Sequence, residues 1–145
     1  MWRRMPLARV VSAIVAVLTL ASAPAAHHSL SAFDLRKEIT LTGMISAYQF
    51  RNPHLYFHLE VTDGELQGEW EVEAQSPRIM TLFGWSATSL ARGDRVVVVA
   101  NPPQQRTKRL ALGRSVLKAD GTTLRVPWDR KEIREALRDD PATAK

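Results

Sequence analysis

Four histidines are the residues of this 145-residue chain best suited to chemistry. His27 and His28 are adjacent and follow a run of small residues, whereas His54 and His58 lie four apart in one predicted strand. Imidazole nitrogens are good ligands for Cu(II), Ni(II) and Zn(II). At ~3.3 Å per residue, the backbones of His54 and His58 are about 13 Å apart, so one ion bound to both needs a further group between them. We therefore take all four histidines as candidate ligands, with copper as the cofactor that we consider first.

The start of the chain has the three parts of a secretory signal peptide. Arg3, Arg4 and Arg9 make the first part basic, "VVSAIVAVLTLA" is apolar, and "SAPAA" supplies small residues for cleavage. The apolar run is shorter than the ~20 residues of a transmembrane helix. We expect residues 1–25 to be removed and the protein to be exported, periplasmic or secreted, and not an integral membrane protein.

Two cleavage positions predict two different metal chelates. A cut after Ala25 leaves an α-amine, two backbone nitrogens and the imidazole of His28, which together suit Cu(II) or Ni(II) in a plane. A cut after Ala26 makes His27 the first residue, so its amine and imidazole chelate an ion and leave positions for a histidine of the strand. The sequence leaves both cuts open. Histidines at a free N-terminus also bind copper in vitro without any biological role.

Composition restricts the classes of function. The chain has 20 Lys and Arg against 15 Asp and Glu, but three of the arginines belong to the signal, so the mature chain is only weakly basic. An exported protein of this charge is not expected to bind nucleic acid. It has no cysteine, which excludes disulfides, thiolate zinc sites and cysteine nucleophiles. About 120 residues remain, enough for one core.

The clearest strand pattern is "HLYFHLEV", residues 54–61. Its alternation sends one set of side chains to the core: Leu55, Phe57, Leu59 and Val61. An Asp-Gly turn leads into "EWEVEAQ", residues 69–75, with Trp70, Val72 and Ala74 inward. The outer face of this hairpin then carries His54, Tyr56 and His58 beside Glu69, Glu71 and Glu73.

That outer face has two interpretations. As a binding surface, its ligand-contacting residues are Tyr56, Glu71 and Glu73, because Tyr56 lies between two outward histidines. As ordinary surface, three alternating glutamates are a solvated face, and His58 opposite a glutamate is a cross-strand pair worth a few tenths of a kcal/mol. In any register that keeps the apolar sets inside, His58 is expected to face a glutamate.

The remaining elements predict a mostly β fold, a five-stranded OB-like barrel with two short helices. The first strand begins at Ile39, with a bend or bulge expected at Gly43. A helix between the third and fourth strands starts at Ser76-Pro77 and stops at Gly84. The apolar strand 95–101 is expected to be buried on both faces. A last strand and possible hairpin at Asp120-Gly121 precede a C-terminal helix with an Asp129-x-x-Glu132 cap.

The expected domain organisation has four parts. Residues 1–25 are the signal, 26–38 an N-terminal arm, 39–127 the barrel, and 128–145 the C-terminal helix and tail. A different five- or six-stranded barrel remains an alternative. The chain contains no phosphate-binding glycine loop and no nucleophile-elbow motif. The basic loop with Arg106, Lys108 and Arg109 is either solubilising or a contact for an acidic partner or lipid head group.

Several short sequence motifs together resemble those of a known family. They are "AHHS", "TLTG", "NPH", "HLYFHLEV" and "GW". The chain resembles, over roughly residues 26–126, an uncharacterised family of small exported bacterial proteins, domain-of-unknown-function family 6152. The resemblance implies a periplasmic or secreted OB-like domain and supplies no activity.

These observations favour a non-catalytic binding module with a copper-type ion held by histidines. The alternative is a structural or interaction protein of the cell envelope that binds a protein or glycan on its OB-like face. A hydrolase using the carboxylates is a third hypothesis, but no acid has a visible reason for a shifted pKa.

Overall fold

The computed structural model describes residues 30–143. The predicted signal peptide, its cleavage site and both His27 and His28 lie outside these residues. The described chain forms six strands and two α-helices, with single 3-10 turns at Leu30–Ala32 and Pro141–Thr143. The strands are β1 (Ile39–Gln49), β2 (Tyr56–Val61), β3 (Gly68–Glu73), β4 (Arg95–Asn101), β5 (Leu110–Lys118) and β6 (Thr123–Arg125). The helices are α1 (Pro77–Leu82) and α2 (Arg130–Asp139).

Five of the strands close into a barrel. The sheet order is β3-β2-β1-β4-β5-β6, and a parallel pairing of β3 with β5 joins the two sides of the barrel. The short strand β6 pairs only with β5 and stands outside the closed ring. Helix α1 connects β3 to β4. The prediction of a small OB-like barrel with a helix in that connection and a second helix near the C-terminus is confirmed.

The core is built by alternating strand residues, as the period-two pattern predicts. Every inward residue of the β2–β3 hairpin is buried: Leu55, Phe57, Leu59, Val61, Trp70, Val72 and Ala74. In β4, Val96, Val98 and Ala100 are buried, but Val97 and Val99 are only partly covered. The expectation that β4 is buried on both faces is therefore wrong, because no second layer packs fully over its outer side.

Strand β1 changes its pairing partner along its length. Residues 39–44 pair with β4, and residues 44–49 pair with β2 on the other side. A Cβ atom at Gly43 would lie 2.2 Å from the backbone oxygen of Glu60, so only glycine permits this close approach. The register shift occurs slightly later, between Ile45 and Ala47. Gly43 thus marks the bend, and the bulge follows it.

The two helices begin differently. The carboxylate of Asp129 caps α2 by accepting a hydrogen bond from the Glu132 amide at 2.8 Å, as predicted. Ser76 precedes α1, but its side chain makes no capping hydrogen bond, so the predicted cap is wrong. Pro77 at the first position has no amide hydrogen that requires a partner, which reduces the need for a cap. Gly84 follows the end of α1 with a φ of +85°, as its predicted role requires.

The N-terminal arm lies against the end of β4 and the loop after it. Phe33 is buried and forms a β-bridge with Pro103, and the Asp34 amide donates to the Pro102 carbonyl at 2.9 Å. The Asn101 side chain donates to the Lys37 carbonyl at 2.6 Å. Across residues 30–143, no helix has the length and apolar character needed to cross a bilayer.

Candidate functional site

The β2–β3 hairpin sets the register of the predicted outer face. Tyr56 lies opposite Glu73, His58 opposite Glu71, and Glu60 opposite Glu69. Antiparallel strands bring directly opposite side chains to within about 5 Å at the Cβ atoms, so each of these pairs can interact. The hairpin therefore divides the candidate residues into two neighbouring clusters, one around Glu73 and one around His58.

His54 belongs to the first cluster. It lies in the loop just before β2, not within the strand as predicted, although backbone hydrogen bonds of Leu55 with Ala74 and Gln75 continue the pairing there. The His54 Nδ1 atom donates to Glu73 Oε1 in a close contact. The imidazole itself is partly exposed. A surface ring is thus held by a carboxylate that belongs to the neighbouring strand.

Glu73 does not lie on a solvated face. Its side chain was expected to point into solvent with Glu69 and Glu71, but the residue is only 2% exposed. The direction of the side chain is the predicted one. What differs is the environment: Glu73 pairs with Leu112 of β5, which is itself buried, whereas Glu71 pairs with Leu110, which is only partly buried. The prediction of a solvated carboxylate at Glu73 is therefore wrong.

Tyr56 completes the first cluster. Burial raises its pKa to about 12, and the carboxylates of Glu73 and Glu71 add to that shift by opposing a phenolate. Tyr56 lies directly opposite Glu73 in the hairpin, and its ring centroid is 6.4 Å from that of His54. Tyr56 is therefore a neutral hydrogen-bond donor at ordinary pH.

His58 forms the second cluster, between two glutamates. Its Nδ1 is 3.7 Å from Glu69 and its Nε2 is 3.6 Å from Glu71. The two carboxylates are 63% and 45% exposed, and Ser46 donates a hydrogen bond to Glu69 at 3.1 Å. The prediction that His58 faces a glutamate is confirmed. Exposed pairs of this kind contribute at most about 1 kcal/mol to stability.

The structure therefore brings together some predicted site residues and not others. His54, Tyr56 and Glu73 form one cluster, and Glu71 sits beside His58 in the next. Within residues 30–143, no three imidazole or carboxylate groups are arranged to hold a metal ion by themselves. A metal site that includes His54 would need ligands from elsewhere, such as His27 and His28, which lie outside the described residues.

The chemical capacity of the first cluster follows from the tautomer that Glu73 imposes. A carboxylate only accepts hydrogen bonds, so the His54 ring must carry its proton on Nδ1 to donate to it. The lone pair of the neutral ring is then on Nε2, on the other side of the imidazole. A carboxylate behind a histidine fixes the ring and raises its basicity, an arrangement typical of metal-binding histidines.

Sequence reasoning missed the pairing of His54 with Glu73. It considered glutamate neighbours only for His58, and it treated the three glutamates of β3 as equivalent. The alternation of side chains along the two strands was the signal that could have found this pairing. His54, Tyr56 and His58 share one face, and Glu73 is the last outward residue of the returning strand. Knowledge of the hairpin register would have placed Glu73 next to Tyr56, within reach of His54.

The fold and this cluster define a class of protein: a small OB-like barrel with a buried glutamate behind a surface histidine. A family model matches residues 14–112, which is more than half of the chain. The chain belongs to that family, a family of unknown function, DUF6152. No curated protein matches the chain. The resemblance noted from the sequence motifs is confirmed, and the family carries no assigned activity.

Proposed function

We propose that this protein is an exported, non-catalytic binding module that holds a Cu(II)-type ion at His54, with further ligands from His27 and His28. The observation that carries the proposal is the buried carboxylate of Glu73 against Nδ1 of His54. This contact leaves the lone pair of a partly exposed neutral ring on Nε2. The periplasm or the extracellular medium is the proposed location, on the grounds of the signal-like residues 1–25.

The burial of Glu73 supports a role beyond stability. Removing a carboxylate from water costs several kcal/mol unless hydrogen bonds and charges compensate for it. An apolar residue at this position would bury its side chain without that cost. A carboxylate retained beside a histidine and a tyrosine is what a ligand-orienting group requires.

His54 is a better candidate than His58 for a ligand from the barrel. Both ring nitrogens of His58 lie near carboxylates that are largely exposed, which is the arrangement of an ordinary cross-strand pair. His54 instead has a buried carboxylate at Nδ1. We therefore assign His58 to the surface and His54 to the site.

The position of the arm supports a contribution from His27 and His28. Glu73 pairs with Leu112, and Leu112 pairs with Asn101, which contacts Lys37 of the arm. Two strand spacings, about 10 Å, therefore separate the backbone of Glu73 from that of Asn101. An extended chain covers ~3.3 Å per residue, so the segment before Lys37 is long enough to span that distance.

Copper titration of the matured protein tests this proposal. The protein is purified from an exporting cell, its first residue is identified by mass spectrometry, and Cu(II) affinity is measured against a competing chelator. Glu73→Gln should weaken binding about 10–100-fold, as loss of a carboxylate behind a ligating histidine does. Glu71→Gln removes the same charge from the same strand and should leave the affinity unchanged.

Two further variants separate the sources of the ligands. His54→Ala should weaken copper binding strongly, whereas His58→Ala should not. If His54→Ala and Glu73→Gln both bind copper like the parent protein, the ion is held by the N-terminus alone and the proposed site at His54 is wrong.

A second function, attachment to another envelope component, is favoured by one observation. Glu60, Glu69 and Glu71 stand in a row on the outer face, all at least partly exposed. Such a row suits a cationic protein surface. This function predicts capture of a partner that depends on Tyr56 and is insensitive to chelators, whereas the copper proposal predicts no such chelator-independent partner.

A further inference from the structure

A second concave site lies away from the His54 cluster, where three segments of the chain meet. It is a cleft of about 720 Å³ between the arm, the β2–β3 loop and the β4–β5 loop. Its apolar lining includes Ile39, Leu66, Trp70, Pro102 and Pro103. Clefts of about 300–1,000 Å³ with an apolar lining and a few polar groups are typical sites for small ligands.

Three cations of the β4–β5 loop line this cleft: Arg106, Lys108 and Arg109. All three are exposed. Among the residues that the structure describes, none of the ion pairs involves them. Lys37 is the fourth cation at the cleft, but it pairs with Asp34 at 3.3 Å. A loop with three uncompensated positive charges beside an apolar wall is a natural receptor for an anion.

Arg109 is held in place before any ligand arrives. Its guanidinium carbon lies 5.2 Å from the centroid of the Trp70 ring, and its carbonyl accepts a hydrogen bond from the Glu71 amide at 2.9 Å. The indole of Trp70 is itself fixed, because its Nε1 donates to the Leu66 carbonyl at 2.7 Å. A guanidinium that is already oriented loses less side-chain entropy when it binds an oxyanion.

The acids at the cleft do not cancel this charge. Asp34 is engaged by the Arg36 amide at 3.2 Å and by Lys37, and these contacts hold its pKa below the usual value although burial alone would raise it. Glu38 and Glu65 are the other two acids of the lining, and both are exposed. Three loop cations thus face two solvated glutamates, which leaves the loop side of the cleft positive.

We propose that this cleft binds an organic phosphate, with the phosphate group on the Arg106, Lys108 and Arg109 side chains and an apolar body against Leu66 and the two prolines. A phosphate has several oxygens and up to two negative charges, so it can satisfy several cations at once. Guanidinium groups match its geometry in two-point contacts. The phosphate can come from a soluble ester or from a phospholipid head group.

Titration with phenyl phosphate tests the proposal, with perturbation of backbone amide signals as the readout. We expect saturable binding that shifts the amide signals of residues 104–109, and weaker binding of both phenol and inorganic phosphate. Arg106→Gln with Lys108→Gln should lower the affinity about 100-fold, because each lost contact to a charged group is worth about one factor of ten. Arg130→Gln with Lys131→Gln, on α2, removes the same charge elsewhere and should not change it.

Vesicles distinguish the two sources of phosphate. If phosphatidylglycerol vesicles bind the protein and phenyl phosphate displaces them, the cleft accepts a lipid head group; without vesicle binding, its ligand is a soluble ester. Phenyl phosphate that binds no better than phenol overturns the proposal. Equal losses in the loop and α2 double variants also overturn it. The cleft contains neither His54 nor His58, so copper affinity at His54 is a separate measurement from this test.

Discussion

Glu73 shows how a residue with an ordinary sequence context acquires an unusual environment. Glu69, Glu71 and Glu73 alternate on one strand and look equivalent, yet only Glu73 is buried. The difference arises from neighbours distant in sequence, because Glu73 pairs with the buried Leu112 of β5, whereas Glu71 pairs with the partly buried Leu110. The Glu73 Oε1 atom accepts a hydrogen bond from His54 Nδ1, which makes Glu73 a positioning group for the His54 ring.

Tyr48 allows a pH prediction at the scale of one residue. Burial raises its pKa above the ordinary value of 10, and its hydroxyl donates to the Ser86 carbonyl at 2.6 Å. A raised folded-state pKa contributes stability that is fully present below pH 10 and is lost as the pH rises above it, because the unfolded chain ionises first. We expect the free energy of unfolding to fall above about pH 10.

The Tyr48→Phe variant checks this assignment. It should be less stable than the parent at neutral pH, because it lacks the hydrogen bond to Ser86, but its stability should fall less steeply above pH 10. Urea unfolding at a series of alkaline pH values measures both effects in the metal-free protein. A slope equal to that of the parent would show that Tyr48 ionises as readily in the folded state as in the unfolded chain.

At the scale of elements, the two helix starts give a matched pair of predictions. Asp129→Ala removes a side chain that accepts a hydrogen bond from the Glu132 amide and should lower the free energy of unfolding by about 1 kcal/mol. Ser76→Ala removes a hydroxyl that caps nothing and should change stability by less than about 0.5 kcal/mol. Urea unfolding of both variants measures these changes. Equal losses in the free energy of unfolding would contradict the different roles assigned to Asp129 and Ser76.

The bend in β1 gives a second prediction at this scale. Gly43→Ala places a Cβ atom against the backbone of Glu60, and backbone cannot rotate out of the way. We expect a loss of about 1–3 kcal/mol, typical of overpacking in a core. Thr42→Ala, an exposed change one residue earlier, is the control and should cost much less. A Gly43→Ala protein as stable as the control would show that β1 and β2 separate easily there.

Local patterns explain what the sequence predicted well. Alternation placed every core residue of the β2–β3 hairpin, and the Asp129-x-x-Glu132 spacing identified the cap of α2. These signals depend on neighbours a few residues apart. The burial of Glu73, the exposure of Val97 and Val99, and the Arg109–Trp70 contact depend on strands that meet only in the closed barrel. No local sequence pattern predicts these contacts between distant strands.

At the scale of the whole molecule, the region matched by the family model ends before the folded barrel does. The match stops at residue 112, within β5, whereas β5 must pair with both β4 and β3 to close the barrel. A chain from Ala26 to Leu112 lacks most of this strand and is expected to be unfolded by circular dichroism. A chain that ends at Trp128 retains all six strands and should fold with a lower unfolding midpoint, because the buried Ile133 is lost.

These two truncations test the closure directly. Trp128 donates to the Gly113 carbonyl at 2.7 Å, so the longer fragment keeps a contact between β5 and the C-terminal segment. A cooperative unfolding transition in the shorter fragment would mean that four strands suffice for a stable core. If the longer fragment shows no cooperative unfolding transition, α2 is required for folding.

The parallel pairing of β3 with β5 also has a kinetic consequence. Its partners are separated in sequence by α1, β4 and their loops, so this pairing is far less local than either hairpin. Non-local pairing slows folding, because the entropy of loop closure is lost before the new contacts form. Until β5 arrives, β3 has an unpaired edge, and intermediates with open edges are prone to aggregate. We expect refolding yields to fall with protein concentration, even when the native protein is stable.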